Sequence, residues 1–252
     1  MTTPLLSEQV RGKGRMYRSP ADGELVPSIT NVIGVLSKDA IPRWAAKMVA
    51  ETAYRMRHAL PEMDEAEAVD MLKGSPWSKS KRAADRGTDI HAYLEARLWG
   101  RDPDPLSEEA SEYVAAAEAW LHTWQPEPLL TETTVFGVGY AGTGDLWARI
   151  GGVETIVDFK SGKALYDVSA LQVAALWGAS EAVVEGELRL APPVTSGCLV
   201  LIGKGGKHET KQVVDLMGSF EAFESALQLW WWRHGDKPLS QPVVRETGDD
   251  GE

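Results

Sequence analysis

The chain has almost no cysteine. Cys198 is the only one in 252 residues. An intramolecular disulfide, a cysteine-ligated zinc site and an iron–sulfur cluster built from this chain alone are therefore excluded. A reducing cytoplasm is the expected setting. No run approaches the roughly 18 apolar residues of a membrane span, and the first residues, MTTPLLSEQVRGKGRMYR, lack the apolar centre of a signal peptide. No membrane partner is expected. Positive charge is in deficit, 26 Lys and Arg against 37 Asp and Glu, for a net charge of −11. That argues against a surface broadly coated with nucleic acid, and leaves room for a local basic cleft. A phosphate-cradling G-x-x-x-x-G-K-[ST] loop is missing, so any helicase acting with this chain would be a separate protein. No internal repeat or low-complexity tract stands out.

What is present suits one domain with a sizeable core: 252 residues, 43% hydrophobic. Residues 1–15 read as a flexible arm, basic through Arg11, Lys13 and Arg15, and 245–252 as an acidic, disordered tail. Ten tryptophans call for large buried anchors or exposed stacking surfaces. Thr30 or Asn31 is placed to cap a short helix through Leu36, and a second helix is expected over Pro42–Leu60. Pro61–Leu72 is acidic and helical.

Lys79–Trp99 is the next long helix, with Ala83, Gly87, Ile90, Leu94 and Leu98 on one face. His91 lies at the edge of that stripe, either as a hydrogen-bonded core residue or as a group facing a cleft. Lys79, Lys81, Arg82 and Arg86 cluster at the helix start, the end the helix dipole makes least favourable for cations. They form either a phosphate-binding patch or a solvated basic turn. Ser107 caps a helix carrying Tyr113, Ala117, Trp120, Leu121 and Trp124 toward the core. Leu130–Gly137 reads as a strand, in which Glu132 either lines a site or is a surface acid. A turn at Ser161–Lys163 leads to a helix from Ser169 through Val184. Gly197–Ile202 is a buried strand and His208–Val214 its outer partner. Ser219–His234 closes the chain, with Phe220, Phe223, Leu227, Trp230 and Trp231 on one face and Trp232 off it. The pattern predicts an α/β domain: a helix-rich N-terminal half, then a central mixed β-sheet flanked by helices.

The central stretch is GDLWARIGGVETIVDFK, which ends at Lys160. Two strand-forming runs flank Gly151-Gly152, a two-residue hairpin loop. That loop pairs Ile150 with Val153, Arg149 with Glu154, Trp147 with Ile156 and Asp145 with Asp158. Arg149–Glu154 favours the register. Asp145–Asp158 opposes it, because facing Cβ atoms are about 4.5–5.5 Å apart and like charges repel there. Two carboxylates so placed ask for a cation between them. Lys160 shares the face of Asp158, while Val157 and Phe159 point to the core. Two carboxylates and a lysine on one face suit a metal-dependent phosphodiester site; otherwise the hairpin is merely solvated there.

These residues carry a resemblance. Gly144-Asp145 followed by Asp158-Phe159-Lys160 is similar to the core of the PD-(D/E)XK nucleases. Arg86-Gly87-Thr88-Asp89-Ile90-His91 resembles the helical motif of the RecB-like, phage-type exonuclease branch, and Gln172 resembles that branch's later glutamine motif. Pro27-Ser28-Ile29-Thr30 and Trp44 resemble the start of its phage-encoded members. The resemblance spans about Tyr17 to Val214. It implies a restriction-endonuclease-like core, with His91, Asp145, Asp158 and the Phe159 carbonyl as ligands of Mg2+ or Mn2+. Lys160 is the implied catalytic lysine, with Gln172 supporting the site or touching the DNA backbone. Leu176 stands where the branch often has a tyrosine, which puts that helix's backbone contact in question.

The expected function is a metal-dependent DNA exonuclease of phage or bacterial recombination and repair. Its substrate is DNA, contacted through Lys79, Lys81, Arg82, Arg86 and Lys163. A single-strand annealing protein or a helicase is the expected partner. An endonuclease on the same site, a non-cleaving nucleic-acid-binding subunit and a metal-dependent hydrolase of another substrate are the alternatives.

Overall fold

The computed structural model describes residues 6–36 and 40–235. The chain opens with a small antiparallel meander, β1 (Ser7–Val10), β2 (Gly14–Arg18) and β3 (Leu25–Pro27). The expected arm is thus largely a hairpin. Asn31 holds it by donating from Nδ2 to the carbonyls of Lys13 and Arg15, both at 2.7 Å. Helix α1 (Ile29–Ile33) is capped by Ser28, whose Oγ accepts from Asn31 N, rather than by Thr30 or Asn31 as expected.

Helix α2 (Ala40–Arg55) packs on α3 (Glu65–Leu98), a single 34-residue helix where two were expected. Pro76 lies inside it and cannot donate to Leu72 O, four residues back. The Ser75 hydroxyl donates to that carbonyl at 2.8 Å instead, so the helix runs through the proline. Asp64 caps α3 by accepting from Ala66 N and Glu67 N.

Helices α4 (Glu108–Ser111) and α5 (Val114–Trp124) follow, with Ser107 capping α4 as expected. Then come β4 (Glu127–Gly137), β5 (Tyr140–Ile150), β6 (Val153–Lys160), α6 (Val168–Trp177), β7 (Glu181–Val184), β8 (Glu187–Leu190), β9 (Ser196–Ile202), β10 (His208–Gln212) and α7 (Leu216–His234). The helix expected to run to Val184 ends at Trp177. The β-branched Val183 and Val184 join a hairpin instead, turned at Glu185-Gly186, where both residues have positive φ.

Seven strands form the central sheet in the order β10-β9-β6-β5-β4-β7-β8. Only β6 and β9 run parallel; the other pairs are antiparallel. The sheet is mixed and mostly antiparallel, with helices on both faces. On one face Trp147, Ile156 and Leu199 pack with Val173 and Leu176 of α6 and Phe223 and Trp230 of α7. On the other, Leu146, Val157, Phe159 and Val200 pack with Ile90 and Leu94 of α3 and with Tyr113 and Trp120. β6 thus alternates side by side into two cores. Trp124 and Trp231, expected in the core, are 40% and 38% exposed. The tail at 245–252 lies outside the described residues. No described helix is long and apolar enough to cross a membrane.

Candidate metal centre

The β5–β6 register is as the Gly-Gly turn predicts: Ile150 with Val153, Arg149 with Glu154, Trp147 with Ile156, and Leu146 with Val157. The ladder stops there, one pair short of Asp145 and Asp158. Asp145 Oδ2 accepts from Phe159 N at 2.7 Å, so a carboxylate replaces the backbone acceptor at the strand's end. On its other side β5 pairs with β4 through Thr131–Leu146 and Thr133–Gly144, skipping Glu132. Glu132 has φ +45°, a left-handed conformation that costs a residue with a Cβ about 1–2 kcal/mol. A non-glycine residue held so usually serves a local geometric need. Here the interruption brings the Glu132 carboxylate to Asp145.

His91 of α3 completes the cluster. Its Nδ1 lies 3.4 Å from Asp145 Oδ1 and 3.5 Å from Glu132 Oε1, and its Nε2 lies 3.2 Å from Phe159 O. One ligand atom from each of His91, Glu132 and Asp145 falls within 4.8 Å of the others. If Nε2–H donates to Phe159 O, the Nδ1 lone pair faces two carboxylates. Such a contact needs a proton or a cation between the partners. Burial opposes a charge on His91, but Asp145 and Glu132 outweigh it and hold the imidazole well above its ordinary pKa. Glu132 is pushed up by burial, with Asp145 adding to the rise. Burial also disfavours the Asp145 carboxylate, yet His91, Lys160 and the Phe159 N–H hold it below its ordinary value.

Asp158 and Lys160 stand beside this cluster. Asp158 is 1% exposed, and neither oxygen has a hydrogen-bond partner among the described residues. Lys160 Nζ approaches Oδ2 at 2.5 Å as an ion pair, without hydrogen-bond geometry, and donates to Gln172 Oε1 at 3.1 Å. Burial drives the Asp158 carboxyl up to about 6, with Asp145 adding to the rise and Lys160 opposing it. Asp158 and Asp145 raise the Lys160 ammonium against the burial that would lower it. Asp158 Oδ1 is left without a polar partner, and a buried oxygen in that state costs on the order of 1–3 kcal/mol, which a hard cation would offset. An imidazole, carboxylate oxygens and a nearby carbonyl suit Mg2+ or Mn2+, so the donor set fits the implied ion.

Of the residues expected here, His91, Asp145, Asp158, Phe159, Lys160 and Gln172 lie together, and Glu132, its side chain 40% exposed, stands beside His91 at the cluster's solvent edge. Asp158 is not within the tight His91–Glu132–Asp145 group. The Phe159 carbonyl faces His91, where it orients the ring. Leu176, at the expected tyrosine position, is 1% exposed and belongs to the α6-side core. A Cβ on Gly144 would meet the Trp147 ring at 2.3 Å and Leu176 at 3.1 Å, so the glycine before Asp145 makes room for that core.

The basic residues divide. Lys81, Arg82 and Lys163 are exposed, and Arg82 lines a cavity with Arg55. The side chain of Lys79 lies outside the described ones. Arg86 is not a free phosphate ligand: it is 14% exposed, ion-paired to Glu109, bonded to Ser161 O at 3.2 Å and stacked over Tyr113. It ties α3 to the loop after Lys160. Beside it, a Cβ on Gly87 would stand 3.4 Å from Ser161 Oγ, the close approach that a mid-helix glycine signals. A cavity of about 440 Å³ between α5 and the hairpin turn is lined by Trp120, Trp124, Ile150 and Cys198. It holds no charged group and lies at the opposite end of the hairpin from the cluster.

No family model matches this chain, and no curated protein matches it. A solved structure described as "Crystal structure of SSO0001" is similar over 56% of this chain and 74% of its own, at 14% identity and a TM-score of 0.25. A likeness of that size carries no argument about function.

Proposed function

We propose that this chain is a metal-dependent deoxyribonuclease with a PD-(D/E)XK-type core, and that it acts as an exonuclease. The observation that carries the reading is the buried Asp158–Lys160 pair set against the His91–Glu132–Asp145 cluster at one interrupted strand end. Three carboxylates face one ammonium and one imidazole there, which leaves an excess of acid for a cation to neutralise before a phosphodiester can approach. His91, Glu132, Asp145 and Asp158 are the residues that would hold Mg2+ or Mn2+. When bound, such an ion neutralises the excess charge, polarises the phosphate and lowers the pKa of water. Phe159 O fixes the His91 ring. Gln172 and Asp158 hold the Lys160 ammonium in place, where its N–H groups can orient a water or meet charge developing on the phosphate. The preference for an exonuclease rests on the resemblance of the His91 helix and of Gln172.

The test is degradation of end-labelled linear DNA and of a closed circle with Mg2+, Mn2+ or EDTA. Wild type is compared with Asp158→Ala and Lys160→Ala. Metal-dependent loss of the linear DNA alone, abolished in both variants, is expected. Cutting of the circle would make the site an endonuclease. DNA binding with no cleavage under either metal would leave a non-cleaving binding subunit.

A further inference from the structure

His91, Glu95 and Trp99 are spaced at i, i+4 and i+8, so they form one stripe along the end of α3. At 1.5 Å per residue, Trp99 sits about 12 Å along the axis from His91. Its indole is held in place: Nε1 donates to Thr131 Oγ1 at 2.9 Å, and Thr131 Oγ1 donates to Glu95 Oε1 at 3.2 Å. Arg101 closes the chain on Glu95 at 3.4 Å. The ring is nevertheless 44% exposed. It walls a cavity of about 370 Å³ together with Leu130, Thr131, Glu132, Val184 and Glu185. Glu132 therefore belongs to both this cavity and the metal centre.

We propose that Trp99 is a stacking platform for a nucleobase of the bound strand, adjacent to the nucleotide being cut. The inference rests on the nuclease reading and adds to it a specificity-determining residue. The chemistry of the cavity selects the base over the phosphate. Glu132 repels phosphate oxygens, with Glu185 contributing less because Arg189 pairs with it at 3.5 Å, yet carboxylates accept from the exocyclic amino groups of bases. An aromatic face held by two successive hydrogen bonds loses little freedom when a base lies on it. Stacking of this kind tolerates any base sequence. Access to an unpaired base makes a single-stranded or frayed end the preferred substrate form.

The test uses the full chain with short single-stranded oligonucleotides, each carrying one 2-aminopurine, at successive positions, with Ca2+ in place of Mg2+. Quenching of the reporter at one position, and affinity about tenfold lower for Trp99→Ala but largely kept in Trp99→Phe, are expected. Placing an abasic site at that position should erase the difference between wild type and Trp99→Ala. Equal binding of the intact oligonucleotide by wild type and Trp99→Ala would overturn the stacking role; if wild type still cleaves linear DNA with Mg2+ or Mn2+, the nuclease reading survives that failure. Loss of binding in Trp99→Ala, without cleavage by wild type under either metal, would keep the base site and remove the nuclease. Wild type that binds no oligonucleotide overturns the base site, and cleavage of linear DNA under Mg2+ or Mn2+ then decides the nuclease reading separately.

Discussion

At the turn end of the β5–β6 hairpin, Arg149 donates to Glu154 Oε1 at 2.8 Å across a regular ladder, half in water. At the open end, five charged or titratable groups crowd an interrupted ladder, and the Asp158 oxygens have no hydrogen-bond partner among the described residues. One hairpin thus holds a pair that local rules satisfy and a cluster that they leave frustrated. Sequences agree with their fold at most positions and depart from it where a function is built. The satisfied end makes the register. The frustrated end uses it.

The comparison breaks first on activity. Asp158→Asn at the open end should lower the DNA cleavage rate on the order of a thousandfold, several kcal/mol of barrier. Arg149→Ala at the turn end should leave it unchanged. Equal loss in both variants would show that the open end is only structural.

The next effect is on stability. Mn2+ at a hundred times its dissociation constant should stabilise wild type by about 2.7 kcal/mol, a rise of several degrees in Tm that EDTA reverses. Asp145→Asn should show no such rise. A similar rise in Asp145→Asn would place the ion elsewhere.

Smaller still is the strain at Glu132. Glu132→Gly relieves the left-handed backbone and removes one carboxylate, so in EDTA the variant should be more stable by about 1 kcal/mol. Calorimetry showing a loss instead would mean that the carboxylate supports the fold.

The smallest effect belongs to the turn. The hydrogen bond from Arg149 holds Glu154 below its ordinary pKa of 4.5. A carboxyl depressed in the folded state stabilises above that ordinary value, and the gain is lost as pH falls through the folded one. Arg149→Ala should therefore slightly flatten the acid limb of the stability curve, and 1 M salt should mimic it. An acid limb unchanged by the substitution would remove this pair from the account.

Legibility followed the range of the interactions. The Gly-Gly turn, the alternation of Val157 and Phe159 into a core, and the buried strand expected over Gly197–Ile202 could be read because each depends on neighbours in sequence, whereas the parallel pairing of that strand with β6 could not. The two helices expected over Pro61–Leu72 and Lys79–Trp99 are one, because the helix continues through Pro76, where the Ser75 hydroxyl takes up the Leu72 carbonyl. The β7–β8 hairpin was missed although Glu185-Gly186 was there to signal it. Arg86 looked like a free cation because the sequence does not show Glu109 or Ser161 beside it.

By itself, the sequence determined the hairpin, the face of each of its residues and the chemical types that could meet at its open end. Strand periodicity and a two-residue turn leave a single register, and those constraints act over a few residues. Only the tertiary structure decided which acid joins His91. Glu132 arrives through a skipped pair in β4, a strand opposite Asp145, and His91 through a helix that ends at Leu98, well before the hairpin begins at Tyr140. Such meetings depend on how a helix packs across a sheet edge, and burial then sets their charges; neither quantity is written in the local chain.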